Sequence, residues 1–188
     1  VTVEPRGLEV AADWRTLQTP ETYLGYRQAS GFAQEEEARF GERATYNPPG
    51  VLPLNAWALT GAWTFASHAS VSADGGARIA FRFHARDVNL VMGPLPKDAS
   101  IPFRVFLDGR PAGDAVGTDV VAEGRGTLDA QRTFQLIRQP GSIQERTFEI
   151  EFDGPRELRQ SFERWLGLSG FAEIADARRP MGAGRNRD

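Results

Sequence analysis

The stretch Gly76-Ala77-Arg78-Ile79-Ala80-Phe81-Arg82-Phe83-His84-Ala85 decides the fold class. Successive side chains of an extended chain point to opposite sides, so Ile79, Phe81 and Phe83 fall on one face while Arg82 and His84 fall on the other. That is the pattern of a strand with one face in a core and one face polar. The same alternation continues downstream. After the break at Ala85-Arg86-Asp87, Val88, Leu90 and Met92 form an apolar set closed by Gly93-Pro94. Phe103, Val105 and Leu107 then share a face opposite Arg104 and Phe106, and the run ends in the hairpin pair Asp108-Gly109. Two further runs, RTFQLIRQPG from Arg132 and RTFEIEFDGP from Arg146, have matching inward residues, Phe134 and Leu136 against Phe148 and Ile150. They read as neighbouring strands of similar pattern. Upstream, Asn55 to Phe65 reads as two short aromatic-rich strands around Gly61, and Gly109 to Gly126 as a long excursion with one short strand near Val120-Val121. About six to nine short strands with regular turn signals, and no alternation of strand with helix, predict an all-β, jelly-roll-like antiparallel β-sandwich.

The sandwich is expected over residues 51–154, with short helical segments at both ends of the chain. Residues 1–50 read as irregular. Within them, Thr19-Pro20-Glu21-Thr22 resembles a capping box and predicts one or two helical turns through Tyr23, Leu24 and Tyr26. The acidic run Glu35 to Glu37 reads as a solvated loop or helix face, and Asn47-Pro48-Pro49-Gly50 as a turn. Residues 155–188 form a third part. Leu158, Phe162, Trp165 and Leu166 give Pro155 to Gly167 one apolar helical face, and the sequence beyond Ile174 has the composition of a disordered tail.

Composition narrows the function classes. The chain has 188 residues, enough for a core without disulfides, and it contains no cysteine. This excludes thiol redox chemistry, a cysteine nucleophile and thiolate metal sites within the chain. With two histidines, a histidine-rich metal site is not expected either, and no cofactor is indicated. The net charge of −3 implies no strongly charged binding surface, and no apolar run approaches the ~20 residues of a membrane span. The opening VTVEPRG is not a signal peptide and reads as the start of a mature protein or of a piece of a longer one. Of 22 basic residues, 21 are arginine; scattered among 25 acids they fit a mixed solvated surface better than a nucleic-acid face. No nucleophile elbow, phosphate loop, zinc helix or dinucleotide fingerprint is present. Glu149 and Glu151 project from the same face of one strand, which admits glycosidic acid–base chemistry or a plain solvent-facing edge.

The aromatic residues admit a binding role. Trp57 and Trp63 are candidates for stacking on the apolar face of a sugar, with Arg82, His84, Arg104 and Gln135 supplying hydrogen bonds. The alternative is that both tryptophans belong to the core.

Five segments carry a resemblance: ETYLGY (21–26), WALTGAW (57–63), RIAFRFHARDVNLVMGP (78–94), FRVFLDGRPAGDAVGTDV (103–120) and QLIRQPG (135–141). In order and spacing they resemble the C-terminal domain of DipZ-type thiol:disulfide interchange proteins of cytochrome c biogenesis, from about Thr19 to Phe152. The resemblance implies a membrane-embedded electron-transfer part, then an extracytoplasmic thioredoxin-like domain with its Cys-x-x-Cys, then this carbohydrate-binding-module-like jelly roll. No position here matches a catalytic cysteine, so the expected role is a non-catalytic accessory module outside the cytoplasm, in the periplasm or cell envelope. Its expected partners are the upstream thioredoxin-like domain and a glycan, with no nucleic acid and no membrane insertion of this segment. Glu21, Tyr23 and Tyr26, in the part that packs on or links to the upstream domain, are the expected interdomain contact. The competing expectation is an interaction domain that docks on the thioredoxin-like domain or its protein substrates, binds no sugar and buries Trp57 and Trp63. One departure stands out: such domains finish with a short aromatic strand soon after the position of Phe152, where this chain carries its helical segment and arginine-rich tail. That leaves one sheet edge open.

Overall fold

Alternation becomes layering in the computed structural model, which describes residues 17–72, 74–95 and 99–153 together with the backbone of Leu166–Gly167 and Phe171–Ala172. Strands β1 (Thr22–Tyr23), β2 (Arg43–Tyr46), β3 (Trp57–Phe65), β4 (Ser70–Ser72), β5 (Ala77–His84), β6 (Asp87–Pro94) and β7 (Ile101–Leu107) come first. They are followed by β8 (Arg110–Pro111), β9 (Arg125–Leu128), β10 (Arg132–Arg138), β11 (Glu145–Phe152), β12 (Leu166–Gly167) and β13 (Phe171–Ala172). All ladders between them are antiparallel. The main sheet runs β3-β5-β11-β7, with β9 and β8 on the far side of β7; β6 pairs β10 on one edge and β12 on the other. From β5 onward the long strands alternate between the two sheets: β5 in the main sheet, β6 in the second, β7 in the main, β10 in the second, β11 in the main. This crossing seats β11 between β5 and β7 although both precede it by more than forty residues in places.

One core fills the space between the sheets. Ile79 and Phe83 of β5, Leu90 and Met92 of β6, Val105 of β7, Phe134 and Leu136 of β10 and Ile150 of β11 are all buried in a single cluster. Phe103 and Phe134 meet edge to face at 6.2 Å across it. Each such side chain contributes roughly 1.5–3 kcal/mol by leaving water. The solvent face of the main sheet is charged and self-paired. Arg78 contacts Glu151 directly and Glu149 at 3.7 Å, and Arg104 reaches Glu151 at 2.7 Å and Asp153 at 3.3 Å. These cross-strand pairs follow from the register, which sets Arg78, Glu151 and Arg104 side by side. At the β5–β6 corner the buried carboxylate of Asp87 is held by Arg86 at 2.6 Å and Arg138 at 2.7 Å.

The structure corrects several expectations. Asn55 to Phe65 holds one strand, bent at Gly61 (φ +89). Residues Trp57 to Thr60 pair with β5, and Gly61 to Phe65 lie between β2 and β4. The runs at Arg132 and Arg146 are not neighbours, because β10 pairs with β6 and β11 with β5 and β7. The short strand of the 109–126 excursion is β9, while Val121 makes a single bridge to Arg125. Residues Thr19 to Tyr26 form no helical turn: β1 pairs with β13, and the chain continues along the β3–β4 hairpin through Tyr26 N to Ala66 O, 3.0 Å. Local capping chemistry loses there to backbone bonding with a distant part of the chain. The one-turn 3-10 helix of the N-terminal part is Glu35–Glu37, fully solvated. Of the helix expected over Pro155 to Gly167, residues 154–165 lie outside the described residues, and Leu166–Gly167 pairs as a strand with Pro94 and Gly93. The tail beyond Ile174 also lies outside them. Short C-terminal strands thus cover the β6 edge that the sequence leaves open. Leu24, Phe32 and Tyr46 lie in the same core cluster as Trp57.

Candidate functional site

The largest concavity found is a groove of about 730 Å³ where the N-terminal segment meets the proline-rich loop. Its walls are residues 30–34 with Glu37 on one side and 47–56 on the other, and Pro20 and Thr22 line it as well. The first wall is bound to the start of β3 as a parallel strand: Trp57 N donates to Gly31 O and Ala33 N to Trp57 O, each at 2.8 Å. Glycine is required in this wall. Gly31 has φ +70, and a Cβ there would lie 2.3 Å from the carbonyl oxygen of Asn55. Gln34 ties wall to wall, accepting from Leu59 N through Oε1 and donating to Asn47 O through Nε2, both at 2.8 Å.

Asn55 is the hinge of the second wall. It adopts φ +66, a conformation asparagine tolerates better than most residues. Its backbone N–H donates to Arg82 O at 2.8 Å and its Nδ2 to Gln18 O at 3.4 Å, while its Oδ1 is buried with no partner. Gln18 N in turn donates to His84 O at 3.0 Å, and His84 N donates to Thr19 Oγ1 at 2.7 Å. The chain therefore comes into the sandwich pinned beside the groove. Val51, 91% exposed, stands in the lining, and Leu52 tucks under with Ala56, Ala58 and Ala80. Glu37 is the one ionisable side chain lining the groove.

The six residues expected for sugar recognition are not brought together. Trp57 and Trp63 are 0% exposed, so neither ring has a face open to a ligand. Their indole N–H groups donate to Ser30 O at 3.0 Å and Thr60 O at 2.9 Å, which lets the rings enter the core without an orphaned donor. Arg82 lies on the opposite, solvent side of β5 and binds Glu145 at 2.6 Å. Arg104 sits two strands away, paired with Glu151 and Asp153. Its guanidinium is held further above its usual range by Asp153 first and then Glu151. Gln135 belongs to the other sheet, 1% exposed under the loop at Thr118 and Asp119. His84 contributes its backbone to the entry of the chain. Glu149 and Glu151 do share a face, as the alternation requires, but both are engaged by arginine and neither lines the groove.

Of the expected interdomain residues, Glu21 is exposed and Tyr23 half-buried, its hydroxyl pushed up by desolvation and by the neighbouring Glu21. Tyr26 is 39% exposed and stacks at 5.1 Å on Phe40, itself 62% exposed. Sequence reading missed the groove because backbone makes most of it. Its one local signal was the turn chemistry of Asn47-Pro48-Pro49-Gly50.

Residues 19–156 match the family model described as thioredoxin like C-terminal domain. The chain belongs to that family. It is 31% identical over 98 residues to Protein DipZ of Mycobacterium bovis (strain ATCC BAA-935 / AF2122/97) and, equally, to Protein DipZ of Mycobacterium tuberculosis (strain CDC 1551 / Oshkosh). Each match covers 52% of this chain and 13% of the relative, so it is a DipZ-type C-terminal domain matched against a small part of much longer proteins. Among the described residues, no helix is long and apolar enough to cross a membrane.

Proposed function

We propose that this chain is a non-catalytic accessory domain of an extracytoplasmic DipZ-type protein, and that it acts by docking protein in its groove rather than by binding sugar. The occupant is the thioredoxin-like domain that the family resemblance places ahead of it. The observation that carries this reading is position: the groove lies where Gln18 and Pro20 bring the chain into the sandwich. A domain tethered at that point is held near the groove at an effective concentration of order mM, so modest contacts suffice for docking. The burial of Trp57 and Trp63 speaks for the same reading, because it removes the rings on which a glycan site would rest. Thiol chemistry then belongs to the neighbour, and this domain positions it.

The test is amide hydrogen exchange of this chain alone and of a longer DipZ-type chain that includes the thioredoxin-like domain. Slower exchange in the longer chain at residues 31–34 and 50–56 supports docking. Equal exchange there, with protection produced instead by cell-wall oligosaccharides, would return the domain to the glycan-binding class.

A further inference from the structure

Resting on that docking reading, we infer that the groove selects a cationic, hydrogen-bond-donating side chain, an arginine or lysine on the docking face of the neighbouring domain. The donors and acceptors around the groove are unequally used. Its side-chain amide and indole donors are spent within the molecule: Trp57 Nε1 on Ser30 O, Gln34 Nε2 on Asn47 O and Asn55 Nδ2 on Gln18 O. Acceptors remain. Asn55 Oδ1 is buried without a partner, and among the described residues the Glu37 carboxylate makes no ion pair. A buried acceptor with no partner is costly, and a ligand that donates to it relieves that cost on binding. An anionic or acceptor-only ligand would meet the Glu37 carboxylate and gain nothing at Asn55. Glu35 and Glu36, on the same exposed turn, extend the negative potential beside the groove. Guanidinium and ammonium groups carry donors only, and a bond to such a charged donor is stronger than one between neutral groups.

The experiment uses the longer chain and the protection of residues 50–56 as its readout. Glu37→Gln removes the charge from an exposed side chain and leaves the fold intact. Asn55→Gly removes Oδ1 while keeping a residue at ease with φ +66. Asn55→Asp keeps the acceptor and adds charge. The expected result is a roughly tenfold loss of protection in Glu37→Gln and in Asn55→Gly, the size of one charge-assisted hydrogen bond, with protection kept or raised in Asn55→Asp. Salt at ~1 M, where the screening length is about 3 Å, weakens the wild type more than Glu37→Gln. If the groove is protected in the longer chain but neither variant nor salt changes it, docking stands and cation selection is refuted. Absence of protection in the wild type refutes both.

Discussion

Replacing Gly31 by alanine sets a methyl group where the other wall of the groove already stands. The added Cβ would lie 2.3 Å from Asn55 O, and Gly31 has φ +70. Two costs add. An L-residue in the left-handed region costs roughly 1–2 kcal/mol. The clash is with backbone, so no rotamer relieves it, and moving residues 31–33 away strains the two hydrogen bonds to Trp57, each worth about 1 kcal/mol net. The expected destabilisation is about 2–4 kcal/mol. Gly41→Ala is the control, because Gly41 has φ +76 but nothing within 4 Å of the added Cβ. It carries the conformational cost alone, about 1–2 kcal/mol. With a urea slope of roughly 1–3 kcal/mol per molar, Gly31→Ala lowers the unfolding midpoint by about 1–2 M and Gly41→Ala by about half of that. Tryptophan emission follows the transition. Equal shifts in the two variants would refute the close approach, and with it the locked groove.

Other consequences are checked in the same way. In a Trp14→Phe, Trp165→Phe background, Trp57 and Trp63 should emit in the blue and resist acrylamide, and oligosaccharides should change nothing; ready quenching would contradict their burial. Asp87→Ala should cost about 2–3 kcal/mol in urea unfolding, at or below the range for breaking a buried pair because Arg86 and Arg138 are partly hydrated. Gly126→Ala should destabilise by about 1–3 kcal/mol as an overpacked contact, since its Cβ would lie 2.1 Å from the Phe103 ring, and Phe103→Leu in the same chain should recover part of that loss.

The sheets were legible wherever one strand face is buried and the other solvated. Ile79, Phe81 and Phe83 against Arg82 and His84 fix both the presence of β5 and its orientation. Asp108-Gly109, with φ +52 and +73, is the two-residue hairpin its chemistry requires. Partner choice was not legible, because alternation names a face and not a neighbour; hence β10 and β11, alike in pattern, lie in different sheets. Thr19 to Tyr26 misled because a capping box is a local preference of a few tenths to ~1 kcal/mol, and pairing with β13 and with the Ala66 region overrides it. The tryptophans illustrate a limit of another kind. Composition counts rings, while only packing tells which side of β3 they take. The groove was hardest to foresee, since Gly31, Gln34 and Asn55 owe their importance to two loops meeting rather than to any motif.

The docking claim is tested most directly by the reactivity of one engineered thiol. The chain has no cysteine, and Val51 in the groove lining is 91% exposed, so Val51→Cys in this chain alone should react with a maleimide as an open thiol does. Val121→Cys, at a site 66% exposed beside β9 on the far side of the main sheet, is the control. Attaching the thioredoxin-like domain should slow modification at position 51 by about tenfold or more, equivalent to ~1.4 kcal/mol of docking, and leave position 121 unchanged. Equal rates at position 51 with and without that domain would contradict the account.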